Sequence, residues 1–457
     1  MKVFHNALNQ KFSEYPQFGV LRGVKVFLTA TNIAAPFAGS LMAEMGAQVL
    51  RVEAPNIACT SRGTTMCAQQ HRNEYSITLN TATKRGQELF MKGIEWADIW
   101  IEASRPGSYD KRGLTDEACW AVNPKLAIVH VSGYGQFGPY KDKASYDVSG
   151  QAMGGYMYVN GMSPTSSPMK VNPSLSDYMT AYNACICALA GHIHALKWGE
   201  GDSCDIAQYE HMFKLLENYP SVWFNKGYPK AGEPVPYRTG NKHDVSACFS
   251  FYDTKDGSAI FVGMVGQGPT ARGFPMIGMP APGSAEKVPG CPEGADTVDG
   301  KCTGYPLFDP RGARADALLE KFCAERTAAE LEKIFEEASI PCQKVFGPED
   351  ILNDPQFEAR ENIAEWEDQV YGPMKGIGVI NKFKKHPSDI VCAAPLFGEH
   401  NREVFKIWGL SDAEIDDMYA KGEAAQWSAA DTARNKMLKE WGYFWDPERQ
   451  AKRIGLE

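Results

Sequence analysis

Residues 24 to 52 read as a strand, a helix and a second strand with little connecting chain between them. Val24–Leu28 is a short apolar strand. Small and apolar residues then recur at helical spacing from Pro36 to Met45, Gly46 closes the helix, and Val49–Val52 is apolar again. A strand–helix–strand unit this short is a βαβ crossover. The pattern repeats in "YSITLN", the amphipathic "TKRGQELFMKGIEWA", "DIWIEA", a helical stretch near "TDEACWAVNP", and "KLAIVHVSG". Such repetition predicts an α/β protein built on a Rossmann-like, mostly parallel sheet with helices on both faces.

The later chain changes character. Residues 178–197 form an apolar helix of mostly small side chains, and "DSCDIAQYEHMFKLL" reads as a strand turning directly into a helix. After the Pro/Gly-rich "NKGYPKAGEPVPYRTGNKHDV", the stretch "ACFSFYDTKDGSAIFVGMV" has a turn signal between apolar strands, which predicts a hairpin. "GMPAPGSAEKVPGCPEGADTVDGKCTGYP" is too rich in Gly and Pro for regular elements and is expected to be a surface excursion. Two helices follow, the second opening on Thr327 and Glu330 at capping-box spacing. The expected organisation is a large α/β domain from residues 1–225, a smaller α+β domain at 226–335, a return to the large domain at 336–420, and a peripheral helical tail at 421–457.

The 47 basic and 56 acidic residues give a formal charge of −9, with no long Lys/Arg block, so no nucleic-acid partner is expected. The twelve cysteines include no C-x-x-C pair, which gives no support for a zinc site or a thioredoxin-like motif, and a reducing cytoplasm is the expected setting. The apolar run at 179–196 contains Asn183, His192 and His194 and falls short of a membrane span.

Ligands of open parallel sheets bind beyond the carboxyl ends of the strands. Those ends carry "TATNIAAP", "VEAP", "EASRPG" and "SGYGQFGPY"; the first lacks the spaced glycines of a dinucleotide fingerprint. Arg105, Lys111 and Arg112 flank one such loop and suit phosphate oxygens, or a solvated helix start. His130 sits inside an apolar strand and is expected to be a hydrogen-bonded core histidine. Asp177 follows the polar "SLS" and precedes the small-residue helix. The residues alone leave two readings open for it, a cap for unpaired helix-start amides or a carboxylate that does chemistry.

Taken together, "LRGVKVFLTATNIAAPFAGSLMAEMGAQVLRVEAP", "HRNEYSITLN", "ADIWIEASRPGSYDKRGL", "NPKLAIVHVSGYGQFGP", "ASYDVSGQAMGGYM" and "NPSLSDY" resemble the family III coenzyme A transferases in order and spacing, and "GEGDSCDIAQYE", "RTGNKHDVSACFSFYDTKDG" and "IPCQKVFGPEDILNDPQFEAR" extend the likeness to about residue 420. The pattern is most similar to the branch containing carnitine and bile-acid coenzyme A transferases. The resemblance implies an interlocked homodimer in which Asp177 is the catalytic aspartate. It implies transfer of coenzyme A from an acyl-CoA donor to a free carboxylic acid, carnitine-like or bile-acid-like, through a covalent aspartyl thioester. Coenzyme A then enters as a thioester substrate, with no tightly bound cofactor or metal and no membrane partner. Ile33, Arg105, and Lys111 or Arg112 are implied to lie near the coenzyme A.

Some features depart from relatives. Ala54 stands after Glu53 where some carry a basic residue, and no run of glycines precedes the small domain's first strand. Relatives that racemise 2-methylacyl-CoA have a histidine where this chain has Tyr146, beside Asp147. A phenol with a reference pKa of roughly 10 is a poor neutral-pH base, so transfer is favoured over racemisation. A racemase or epimerase on the same fold, and a noncatalytic acyl-CoA-binding subunit in which Asp177 only caps, are the alternatives.

Overall fold

The structure is a computed structural model and describes residues 2–428 and 431, apart from 57, 58, 60 and 244. The chain divides into two compact units. The first takes the residues up to 154, 171–216 and those from 354 on; the second takes 155–170 and 217–353.

The first unit begins with β1 (Lys2–Val3), β2 (Lys25–Thr29), α1 (Ala34–Glu44), β3 (Gln48–Glu53), α2 (Thr65–Gln70), β4 (Glu74–Thr78), α3 (Lys84–Trp96), β5 (Ile99–Glu102), α4 (Asp116–Val122), β6 (Ala127–Ser132) and α5 (Asp147–Met153). After α6 (Tyr156–Val159), which belongs to the second unit, it continues through α7 (Leu175–Trp198), β7 (Ser203–Ala207) and α8 (Gln208–Lys214). Six strands form one sheet in the order β4-β3-β2-β5-β6-β7, and every pairing is parallel. The Rossmann-like parallel sheet expected from the sequence is therefore present.

Alternation along each strand feeds two cores. Phe27, Leu50, Trp100 and Ile128 point to the side covered by Leu89, Phe90 and Ile94 of α3. Val26, Leu28, Val49, Ile99 and Val129 point to the side covered by α1 and α7. Burial on both faces explains why these strands are apolar runs and not alternating patterns. Close approach is enforced by missing side chains: a Cβ at Gly93 would stand 2.3 Å from the Phe27 ring. On α7, Ala181, Ala184 and Ala188 are fully buried, the latter two in the core beneath α1. Their smallness thus serves helix and sheet packing.

The second unit continues with α9 (Tyr219–Lys226), β8 (Phe249–Asp253), β9 (Ala259–Gly263), α10 (Gln267–Met276), α11 (Pro310–Ala324), α12 (Ala328–Glu337), β10 (Cys342–Lys344) and α13 (Pro348–Asn353). β8 and β9 form the expected antiparallel hairpin, and β10 pairs with β9. Thr327 and Glu330 make the expected capping box on α12. The Gly/Pro-rich stretch after Met279 has no regular elements, but it is more than a surface excursion: Val288, Val298 and Cys302 are buried in this unit's core. Their spacing follows no helix or strand period, so periodicity could not reveal them.

The first unit closes with α14 (Pro355–Ala359), β11 (Ile363–Asp368), β12 (Gly372–Ile377), α15 (Asn401–Ile407) and α16 (Asp412–Ala420). β11 pairs with β1 and β12, so the N-terminal residues, irregular by sequence, are tied into a small sheet. Ile415 and Met418 of α16 and Ala424 beyond it are buried against the main sheet. Most of the expected tail at 421–457 lies outside the described residues. Among the described residues no helix is long and apolar enough to cross a membrane.

Candidate active site

In the order β4-β3-β2-β5-β6-β7, the chain leaves β2 in one direction to build β3 and β4, then in the other to build β5, β6 and β7. The loops after β2 and β5 therefore diverge and leave a crevice at the carboxyl edge. A cleft of ≈ 270 Å³ opens there, lined by Thr31–Ala34 after β2, Ala103–Pro106 after β5, Val131–Gly133 at the end of β6, and the loop carrying Lys141 and Lys143. Asp177 and Gln208 lie on its wall.

Asp177 lies within the first turn of α7, which starts at Leu175. Capping is done by another residue. The Asp147 Oδ1 of α5 accepts the backbone N–H of Ser176 at 2.7 Å and that of Asp177 at 3.2 Å, and no side-chain cap comes from Ser174. Gln151, fully buried one turn further along α5, donates to Asp147 Oδ2 at 2.8 Å and pairs with both backbone groups of Val171. With these amides occupied, the Asp177 carboxylate is turned to the cleft, where the side-chain amide of Gln208 donates to its Oδ1. Burial first, and then the Asp147 charge, raise the Asp177 pKa to about 6 against the pull of the Gln208 amide. A carboxylate so placed is poorly solvated and, among the described residues, ion-paired with no cation, and hence when ionised is more nucleophilic than one in water.

Ile33 stands at the start of α1 and lines the same cleft, as does the exposed Arg105. Arg112 lines an adjoining cleft of ≈ 180 Å³ that shares Thr31, Ala103 and Ser104, and its guanidinium donates to Thr81 Oγ1. Lys111, its neighbour in sequence, lines neither cleft. Behind the Arg105 loop, Glu102 accepts the Ser104 N–H at 2.6 Å and His130 Nδ1 at 2.9 Å, while Asp116 meets His130 Nε2 at 3.0 Å. His130 is thus the hydrogen-bonded histidine expected. Among the described residues, no three His, Cys, Asp or Glu side chains are grouped as a metal site requires.

The sequence from residue 21 to 401 matches CoA-transferase family III. The chain belongs to that family. It is 45% identical over 430 residues, 94% of each chain, to the bile acid CoA-transferase BaiK of Clostridium scindens. Among solved structures, a CAIB/BAIF family protein from Brucella suis superposes with a TM-score of 0.69 at 24% identity, covering 86% of this chain and all of that one. Rv3272 from M. tuberculosis superposes with a TM-score of 0.67 at 20% identity, covering 85% and 99%. These two likenesses speak for the fold. The chain is accordingly a family III CoA-transferase, an enzyme whose substrates are coenzyme A thioesters and acids.

Asp147, Gln151 and Gln208 were not legible as site residues from sequence. Asp147 and Gln208 act on Asp177 from other elements and Gln151 holds Asp147; the signals available were the position of Asp147 beside Tyr146 and the abrupt strand-to-helix junction "DIAQYE", which puts a polar side chain at the carboxyl edge. Lys141 and Lys143 were likewise missed, because they sit in a loop after the glycines of "GYGQFGPY" with no periodic pattern to place them.

Proposed function

We propose that this family III CoA-transferase moves coenzyme A from an acyl-CoA donor to a free carboxylic acid through a covalent thioester on Asp177. The carboxylate attacks the donor's thioester carbonyl and expels the coenzyme A thiolate, giving a mixed anhydride. The thiolate then attacks the aspartyl carbon and releases the donor acid, leaving aspartyl-CoA. An acceptor carboxylate repeats the two steps in reverse, and Asp177 is restored. The single observation that carries this reading is the placement of Asp177: on the cleft wall at the switch point, with its helix-start amides already taken by Asp147.

Arg105 and Arg112 are assigned to the phosphates of coenzyme A, since two adjoining clefts present them at one edge of the sheet, with Ile33 flanking the ligand. Lys111 remains the alternative to Arg112. The acceptor is assigned to bile-acid-like carboxylates on the 45% identity to a bile acid CoA-transferase, with carnitine-like acids as the competing class. An interlocked homodimer is proposed as the working assembly, supported by the exposed Ile186, Ile193, Leu196 and Trp198 on α7. Twelve unpaired cysteines support a cytoplasmic setting.

The test is incubation with a donor thioester, followed by mass analysis of the Asp177 peptide with and without hydroxylamine. A coenzyme A adduct that hydroxylamine converts to the hydroxamate is expected. Absence of any adduct, together with full transfer by Asp177→Asn, would defeat the reading. A panel of bile acids, carnitine-like acids and small 2-hydroxy acids, each supplied with labelled donor, assigns the acceptor.

A further inference from the structure

We propose that Gln208 is a catalytic residue of this transfer, its side-chain amide holding one oxygen of Asp177 and stabilising the negative charge that forms on it. The proposal rests on the aspartyl thioester reading above.

The placement of Gln208 is set by the fold. Ala207 pairs in register with Ser132, so β7 ends level with β6 at the carboxyl edge, and Gln208 is the first residue of α8 immediately beyond. The side chain is 5% exposed and cannot swing freely. Its position is further fixed from α5, where Gly150 packs against it: a Cβ there would lie 3.2 Å from Gln208 Cβ and 2.2 Å from Ser176 Oγ. Three helices therefore meet at the point where Gln208 Nε2 reaches Asp177 Oδ1. Among the described residues, Oδ2 has no hydrogen-bond donor and is the oxygen available for attack.

The chemistry gives this asymmetry a use. When Oδ2 attacks the donor carbonyl, it becomes the bridging oxygen of the anhydride and Oδ1 becomes the carbonyl oxygen of the aspartyl group. The thiolate released in that step then adds to the aspartyl carbon. The C=O π pair moves onto Oδ1, which carries the full negative charge of the tetrahedral intermediate. Its collapse restores the C=O bond, breaks the bond to Oδ2, and releases the donor acid as a carboxylate. In the second half-reaction the acceptor carboxylate adds to the same carbon, Oδ1 again takes the charge, and the thiolate leaves. Charge passes through Oδ1 twice per turnover, beside a buried donor that is already oriented. Such a donor is worth roughly 10²–10³ in kcat in other acyl transfers.

Gln208→Leu removes the donor at similar size, and Gln208→Glu replaces it with a second acceptor. Both are expected to lower the single-turnover rate of aspartyl-CoA formation by about 10²–10³, with KM for the donor thioester within a few-fold of wild type. The acidic limb of the rate profile should also move to higher pH in Gln208→Leu, because the amide favours the ionised carboxylate. A role confined to packing would leave that limb in place. The other titratable groups facing the site, Asp147, Tyr178, Arg105, Lys141, Lys143 and Tyr146, are unchanged in both variants. If wild type forms the adduct and either folded variant forms it at the wild-type rate with the same limb, the assignment of Gln208 is overturned. If wild type forms no adduct, the aspartyl reading itself fails and this assignment goes with it.

Discussion

Two groups of carboxylates sit on neighbouring parts of the same sheet and are treated in opposite ways. Glu102 and Asp116 bracket His130, one on each ring nitrogen, and the three residues come from adjacent strands and the helix between them. Burial alone would lower the imidazole pKa, but the hydrogen bonds to Asp116 and Glu102 outweigh it and raise the pKa to about 10. Asp177 and Asp147, by contrast, share a helix start with no cation bonded to either among the described residues, and Asp177 is left with a raised pKa. The first arrangement gives both carboxylates a cationic partner and holds β5, β6 and α4 together. The second is left electrostatically unfavourable, which is what a nucleophilic carboxylate needs and what a structural one avoids.

The largest expected effect separates the two groups by function. Asp177→Asn should reduce transfer by at least about 10⁴-fold, as removal of an acyl-accepting nucleophile does. The same substitution should stabilise the fold. Because the folded pKa lies above that of an unfolded aspartate, ionisation disfavours the folded state; the penalty is absent below about pH 4 and complete above the folded pKa. Its removal is worth about 3 kcal/mol at pH 8, read by urea unfolding of both proteins. A loss of stability would mean that the site is a packing feature after all.

His130→Leu should do the reverse, costing about 3 kcal/mol of stability by leaving the buried Glu102 and the partly buried Asp116 without their shared partner. The sign of its pH dependence is fixed by the raised pKa. The stabilisation from His130 is fully present below its unfolded pKa of about 6.5 and is lost as pH rises through about 10. Wild type and variant should therefore differ most near pH 6 and converge towards pH 10 in denaturant unfolding.

The sequence made one of these groups far easier to read than the other. The parallel sheet was legible because both of its faces are buried, which writes apolar runs at Val24–Leu28, Val49–Val52 and around Ile128. His130, a polar residue inside such a run, had to be hydrogen-bonded, and it is. Asp177 could not be decided from its own surroundings, since a helix-start aspartate is normally a cap. What removes the capping role is Asp147, which lies 30 residues away in sequence, and what meets the carboxylate is Gln208, 31 residues away on the other side. Both reach Asp177 only after the sheet has brought α5, α7 and α8 together. Ala181, Ala184 and Ala188 carry the same ambiguity, because small residues that admit a ligand and small residues that admit a neighbouring helix look alike, and here they are buried in packing.

The smallest effect sharpens the comparison most, because it changes the charge at the Asp177 site while keeping the hydrogen bonds to the start of α7. In Asp147→Asn the amide oxygen can still accept the N–H groups of Ser176 and Asp177, so α7 should start where it does now. The fold should lose about 1–3 kcal/mol, from the full negative charge at a helix N-terminus and from the bond that the buried Gln151 amide can no longer donate at the Oδ2 position. The like charge that helps to hold Asp177 protonated is gone, so the acidic limb of the transfer rate, expected near pH 6 in wild type, should move to lower pH. Burial still raises the Asp177 pKa and the Gln208 amide still lowers it, so the limb should not reach that of a solvated aspartate. Arg105, Lys141 and Lys143, which line the cleft, and Tyr178, which follows Asp177 on α7, are the same in both proteins, so the displacement reports on Asp147 alone. Initial rates of transfer across pH 4.5–8 would measure it, and an unmoved limb would mean that the two carboxylates are not coupled and that burial by itself sets the reactivity of Asp177.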